Sequence, residues 1–221
     1  MRKINFYVII MALLFLLPAV PSLAKDFKGT ITYKVTVTGP EVTDEVKAMM
    51  PKTMVLKISG GKTRSEMVMG MGKTVVIADA ETKTSVILMD IMGQKMAVES
   101  TTEDIMKELN ESPEYKMEKT SETKNILDYT CKNAIITSDE GIEISVFYTE
   151  ELGNGAIYFD DPQFKEIEGM MLEFEIPNQG VNMKFTAISI DKKKISDSEF
   201  EIPEDYKVMS KEEMQGMFGG F

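Results

Sequence analysis

Residues 53–99 read TMVLKISGGKTRSEMVMGMGKTVVIADAETKTSVILMDIMGQKMAVE, and this stretch decides the fold. Turn signals interrupt it at Ser59-Gly60-Gly61-Lys62, Gly70-Met71-Gly72-Lys73, Asp79-Ala80-Glu81-Thr82 and Ile91-Met92-Gly93-Gln94. Between them lie runs of strand length at 53–58, 63–69, 74–78, 84–90 and 95–99. Evenly spaced apolar runs joined by tight Gly-containing turns predict an antiparallel meander.

The same period-two pattern extends on both sides. Phe27, Gly29, Ile31, Tyr33, Val35 and Val37 fall on one face, opposite Lys28, Thr30, Thr32, Lys34 and Thr36. Met54, Leu56 and Ile58 share a face, as do Ile142, Ile144, Val146 and Tyr148. Met170, Leu172, Phe174 and Ile176 stand opposite Glu173 and Glu175, and Val181, Met183, Phe185 and Ala187 continue the pattern. One apolar and one polar face per strand predicts a sheet with a dry inside and a wet outside.

Helical patterning is scarce. Pro40 to Met50 sets Val42, Val46, Met49 and Met50 on one stripe. Thr101 to Leu109 opens with Thr101 and Asp104 at capping-box spacing, and Ser210 to Phe218 opens with Ser210 and Glu213 in the same register. These amphipathic stripes need cover, which the inside of a curved sheet supplies. The expected fold is mainly β (α+β): a curved antiparallel meander of roughly ten strands, forming an incomplete barrel with two or three short helices against its concave face.

The N-terminus predicts export. Arg2 and Lys3 precede an apolar stretch from Ile4 to Leu17, Pro18 and Pro21 break it, and Ser22-Leu23-Ala24 offers small residues for cleavage. This reads as a signal peptide over 1–24, cleaved after Ala24, and a single β-rich half-barrel domain over 25–221 that is periplasmic or extracellular. The alternative is an uncleaved anchor, for which the apolar stretch is short against a span of about 20 residues. After cleavage no transmembrane segment is expected.

Composition removes several chemistries. Of 221 residues none is His or Trp and one is Cys, so a Ser-His-Asp triad, a His-ligated zinc and an internal disulfide are all excluded. A net charge of −11 disfavours nucleic acid as a partner. Gly61-Lys62-Thr63 and Gly72-Lys73-Thr74 lack the earlier Gly of a phosphate loop and read as hairpin turns. Cys131, flanked by Lys132, reads as a buried small hydrophobe. The pairs Glu150-Glu151 and Asp160-Asp161 are adjacent in sequence, so on strands their carboxylates would point apart. Gly153 to Phe164 sets Tyr158, Phe159 and Phe164 among Gly, Asn, Asp and Pro, which reads either as a mobile loop at a cavity mouth or as a packed connection.

Methionine is abundant, at 19 residues. Met67, Met69 and Met71 alternate, and Met89, Met92 and Met96 follow. Three readings are open: ordinary core filling, a deformable lining for apolar ligands, and a thioether site for Cu(I). The absence of imidazole weighs against the last; no metal and no cofactor are expected.

Four elements in order resemble one family. Leu127-Asp128-Tyr129-Thr130-Cys131-Lys132-Asn133-Ala134 is similar to the Gly-Tyr-x-Cys-x-x-Ala element of the secreted bacterial GLPGLI proteins and the related domain of unknown function 4412. Val146-Phe147-Tyr148-Thr149-Glu150-Glu151-Leu152 resembles their strand end, Ile167 to Glu173 the element that names GLPGLI, and Phe200-Glu201-Ile202-Pro203-Glu204-Asp205-Tyr206 their closing Phe-x-x-Pro-x-x-Tyr. Asp128 stands where the family has Gly and Phe147 where it has Trp. The resemblance spans most of 27–208 and implies a fold similar to half-barrel lipoprotein carriers; it carries no catalytic residues.

The expected function is therefore a non-catalytic module that binds a hydrophobic ligand, an acyl chain, lipid or lipoprotein, in a Met- and aromatic-lined concavity. Face periodicity selects Leu56, Ile58, Met67, Met69, Ile144, Val146, Leu172, Phe174, Met183 and Phe185 as its lining. The alternative is a structural or interaction domain with a filled core, meeting an envelope protein through edge strands or the tail Phe218-Gly219-Gly220-Phe221.

Overall fold

A computed structural model of the chain describes residues 27–40, 42–153, 157–178, 180–211 and 213–214. The expected signal over 1–24 and the tail 218–221 lie outside these. The strands are β1 (Gly29–Thr38), β2 (Thr53–Ser59), β3 (Lys62–Met69), β4 (Gly72–Asp79), β5 (Thr84–Ile91), β6 (Gln94–Ser100), β7 (Tyr115–Ile126), β8 (Tyr129–Ser138), β9 (Glu143–Thr149), β10 (Met170–Asn178), β11 (Val181–Asp191) and β12 (Lys207–Met209). They form one 12-stranded sheet in the order β12-β6-β5-β4-β3-β2-β1-β11-β10-β9-β8-β7. The meander read from 53–99 is β2 to β6. Neighbours are antiparallel except β12, which runs parallel to β6. The sheet stays open, with β12 and β7 as its rims.

Alternation places the main core on one face. Ile31, Tyr33 and Val35 of β1 are buried together with Met54 and Ile58, Ile136, Ile144, Val146, Phe174 and Phe185. Tyr33 reaches across β11 to donate a hydrogen bond to the Met171 carbonyl of β10, at 2.8 Å, so the sheet curls over this core. Two of the three register shifts among the described strands lie beside this core and tune the curl. Ile188 is unpaired between Thr32↔Ser189 and Tyr33↔Ala187, and Leu172 is unpaired between Met171↔Tyr148 and Glu173↔Phe147.

The other face departs from the expected wet exterior. Val75, Ile77, Leu88 and Ala97 are buried there under Phe200, Ile202 and Tyr206. The run Val75-Val76-Ile77 is thus covered on both sides, with Val75 and Ile77 buried on this face and Val76 half-buried on the other. Ion pairs fasten this cover. Lys57 Nζ lies 2.7 Å from Glu199 and 3.0 Å from Glu66, Arg64 Nε lies 2.8 Å from Glu66, and Lys73 also pairs with Glu66.

Two α-helices lie wholly within the described residues, α1 (Asp44–Met49) and α2 (Thr102–Glu111), with 3-10 helices at Glu150–Leu152 and Asp197–Phe200 and further helical residues at 211, 213 and 214. α2 carries the expected Thr101/Asp104 capping box and buries Ile105. The Ser210/Glu213 box also forms, with Glu213 N donating to Ser210 Oγ at 3.2 Å. Met217 and Phe218 lie outside the described residues. The stripe expected of 40–50 is not sequestered: α1 has no buried residue. Its six residues are too short to cover a sheet, and it abuts the β3–β4 turn instead, where Gly70 N donates to Met49 O at 3.0 Å.

Candidate functional site

Three inward residues on β3 and β4, Thr63, Ser65 and Ala78, are small. Thr63 pairs with Ala78 and Ser65 with Val76, beside Leu56 and Ile58 of β2. Side chains of this size leave room that Tyr33, Phe174 and Phe185 fill elsewhere. The result is a hollow of about 410 Å³. Its floor is Tyr33, Met54, Leu56, Thr63, Ser65, Val76 and Ala78; Met171, Phe174 and Ile176 of β10 close one side.

The segment 157–167 forms the roof. Pro162 pre-sets a turn, in which Asp161 Oδ1 accepts from Gln163 N at 2.9 Å and Asp161 O accepts from Lys165 N at 3.1 Å. The turn buries Ile157, Phe164 and Ile167 and aims Ile157, Tyr158, Asp160, Asp161 and Phe164 into the hollow. Of the two readings of 153–164, the packed connection is the one observed for 157–164, and it also covers the cavity. Residues 154–156 lie outside the described set.

Aromatic rings organise the wall. Phe174 stacks on Phe185 with centroids 4.8 Å apart, and meets Tyr33 and Phe164 edge-on at 5.8 Å each. Phe164 meets Tyr158 at 6.4 Å. Two phenols clamp the backbone of one residue: Tyr33 Oη donates to Met171 O, and Met171 N donates to Tyr158 Oη at 3.0 Å. Burial raises the pKa of both phenols, so they stay protonated.

Asp160 and Asp161 face the same hollow. This departs from the expectation of divergent carboxylates, because they sit in a turn and not on a strand. Burial raises the pKa of both. Neither forms an ion pair with any described residue. A second hollow of about 400 Å³ adjoins the first through Val76 and Asp160, and is bounded by Ile87, Val98, Glu108, Lys211 and Met214.

The ten residues selected by periodicity divide three ways. Leu56 and Phe174 line the hollow. Ile58, Ile144, Val146, Leu172 and Phe185 are packed inside the adjacent core, and Met67 and Met183 are half-buried against it. Met69 is drawn into a separate groove with Val46, Met49, Met50, Met71 and Ile91, at the α1 end of the strands. Met71 follows the end of β3, so the Met67-Met69-Met71 series does not continue as one strand face. Periodicity missed the roof and the small floor residues. The available signal was side-chain size: Thr63, Ser65 and Ala78 are small at inward positions.

Cys131 is fully buried, and burial pushes its thiol up to about 11. Among the described residues no group of three or more His, Cys, Asp or Glu gathers as a metal site. No helix among them is long and apolar enough to cross a membrane.

The model of the family described as Domain of unknown function (DUF4412) matches residues 27–206. No curated protein matches the chain. Among solved structures, PNGF-II is similar with a TM-score of 0.52 at 18% identity; the match covers 87% of this chain and 33% of that one. This chain therefore spans about a third of PNGF-II, and the likeness is one of fold. An uncharacterized conserved protein from Thermus thermophilus has a TM-score of 0.47 at 10% identity, covering 86% of this chain and 94% of that one. LprF from Mycobacterium bovis has a TM-score of 0.33 at 9% identity, covering 76% and 88%.

Proposed function

The chain belongs to the DUF4412 family, and on that footing we propose that it is an exported, non-catalytic module that takes a single apolar chain or ring system into the hollow beneath residues 157–167. The observation that carries this reading is the hollow itself, about 410 Å³ bounded by aromatic and aliphatic side chains. That volume lies at the lower end of the roughly 300–1,000 Å³ typical of small-molecule pockets. It suits one short acyl chain and not a lipid with several. The surrounding core is already filled by Ile144, Val146, Leu172 and Phe185, which narrows the ligand further.

The wall chemistry supports binding over catalysis. The hydroxyls of Thr63 and Ser65 share the hollow with Asp160 and Asp161, yet no side-chain hydrogen bond joins them among the described residues. The N-terminal pattern ending at Ala24 supports export, and the carrier role is read from the family resemblance.

Native mass spectrometry of the gently purified protein tests the proposal. An apolar adduct is expected, displaced by added decanol and absent from an Ala78→Leu variant. A bare mass, together with no uptake of decanol by the wild type, overturns it in favour of a packed structural domain.

A further inference from the structure

The hollow has a charge preference built into it. Its wall carries two carboxylates, Asp160 and Asp161, and no Lys or Arg among the described residues. The cation on the wall of the adjoining hollow, Lys211, is paired with Glu108. The remaining polar wall is hydroxyl, and the apolar wall is ringed by Tyr33, Tyr158, Phe164 and Phe174. Ring faces are electronegative and attract ammonium groups, more strongly where water is excluded. Carboxylates and ring faces thus act in the same sense. An anionic headgroup brought here would meet like charge with no donor cation, while an ammonium would find partners on roof and wall.

We propose that the ligand is an amphiphilic cation, a short apolar chain or ring bearing an ammonium group that sits between Asp160, Asp161 and the aromatic wall. This rests on the reading of the hollow as a ligand site, and it names the class that site selects. Free fatty acids and phosphate-headed lipids are selected against. The ammonium pairs with the two carboxylates, and the chain lies over Leu56, Val76 and Ala78.

Calorimetric titration of the full chain at pH 7 and about 0.15 M salt, where exposed charges are screened beyond about 8 Å, tests this with decylammonium, decanol and decanoate. Decylammonium is expected to bind at least tenfold more tightly than decanoate, with decanol between them. In Asp160→Asn/Asp161→Asn the ratio of decylammonium to decanol affinity should fall to about one. Equal or tighter binding of decanoate overturns the charge assignment while leaving the hollow as a ligand site. An ammonium preference that survives the double substitution assigns it to the acidic surface, and also overturns the proposal. Failure of all three ligands to bind removes the hollow as a ligand site altogether.

Discussion

Filling the hollow should stabilise the protein. Ala78 is buried on β4 and faces the cavity. Ala78→Leu adds the equivalent of about three methylene groups, each worth about 0.8 kcal/mol when buried. Fixing the leucine rotamer costs about 0.5–1 kcal/mol, leaving a net gain of about 1.5 kcal/mol. For a chain of this size the melting temperature should rise by about 3–6 °C. Urea denaturation of the ligand-free protein measures the gain, and decanol affinity should fall at least tenfold in the same variant. A matched control is Ala134→Leu. Ala134 is fully buried on β8 in the filled core, where overpacking typically costs about 1–3 kcal/mol. A loss of more than about 1 kcal/mol at position 78, equal to that at 134, would mean that the space beside Ala78 is already occupied by protein, and the cavity argument would fall.

Other outcomes follow from individual contacts. Tyr33→Phe removes a buried donor and leaves the Met171 carbonyl unpaired, so a loss of about 1–3 kcal/mol is expected in urea. Burial alone would raise the pKa of Glu66, but hydrogen bonds from Lys73, Arg64 and Lys57 outweigh it and hold the carboxyl at about 2. A carboxyl lowered on folding contributes stability above its unfolded pKa, near 4.5, and loses it as pH falls toward 2. Glu66→Gln should therefore cost roughly 2 kcal/mol at pH 7, after discounting for partial exposure, and flatten the acid limb of the stability profile; an unchanged limb refutes the pairing. Alkylation of Cys131 in the native state should proceed no faster than unfolding, since its thiol is buried and held near 11; rapid labelling contradicts that burial. The exported protein should begin at Lys25 by mass spectrometry, and an intact Met1 on a membrane-bound form contradicts cleavage after Ala24.

Strand positions were legible from 53–99 because each hairpin announces itself: Gly60-Gly61, Gly72 and Gly93 mark turns, and the runs between are too short for anything but strands. Matters that depend on two elements meeting were less so. Period two assigns Val75 and Ile77 to the face opposite Val76, but it does not reveal that Phe200, Ile202 and Tyr206 return over that face. The α1 stripe satisfied the helical period while lacking the length to bury it. Periodicity also treats every inward residue alike, whereas the hollow exists because Thr63, Ser65 and Ala78 are smaller than Tyr33 and Phe185. Asp160 and Asp161 share a wall through the turn at Pro162, a geometry that strand-based reasoning inverts. The bulges at Leu172 and Ile188 shift register locally and leave no mark in composition.

Strand β1 sits in the middle of the sheet, hydrogen-bonded to β2 on one side and β11 on the other. Ile31 thus waits for Ile190, far downstream in the chain, before its second ladder can close. Pairings of such long range form slowly and late. A nascent polypeptide of this design cannot complete its central layer until β11 has been made, so one edge of β1 stays open through most of synthesis.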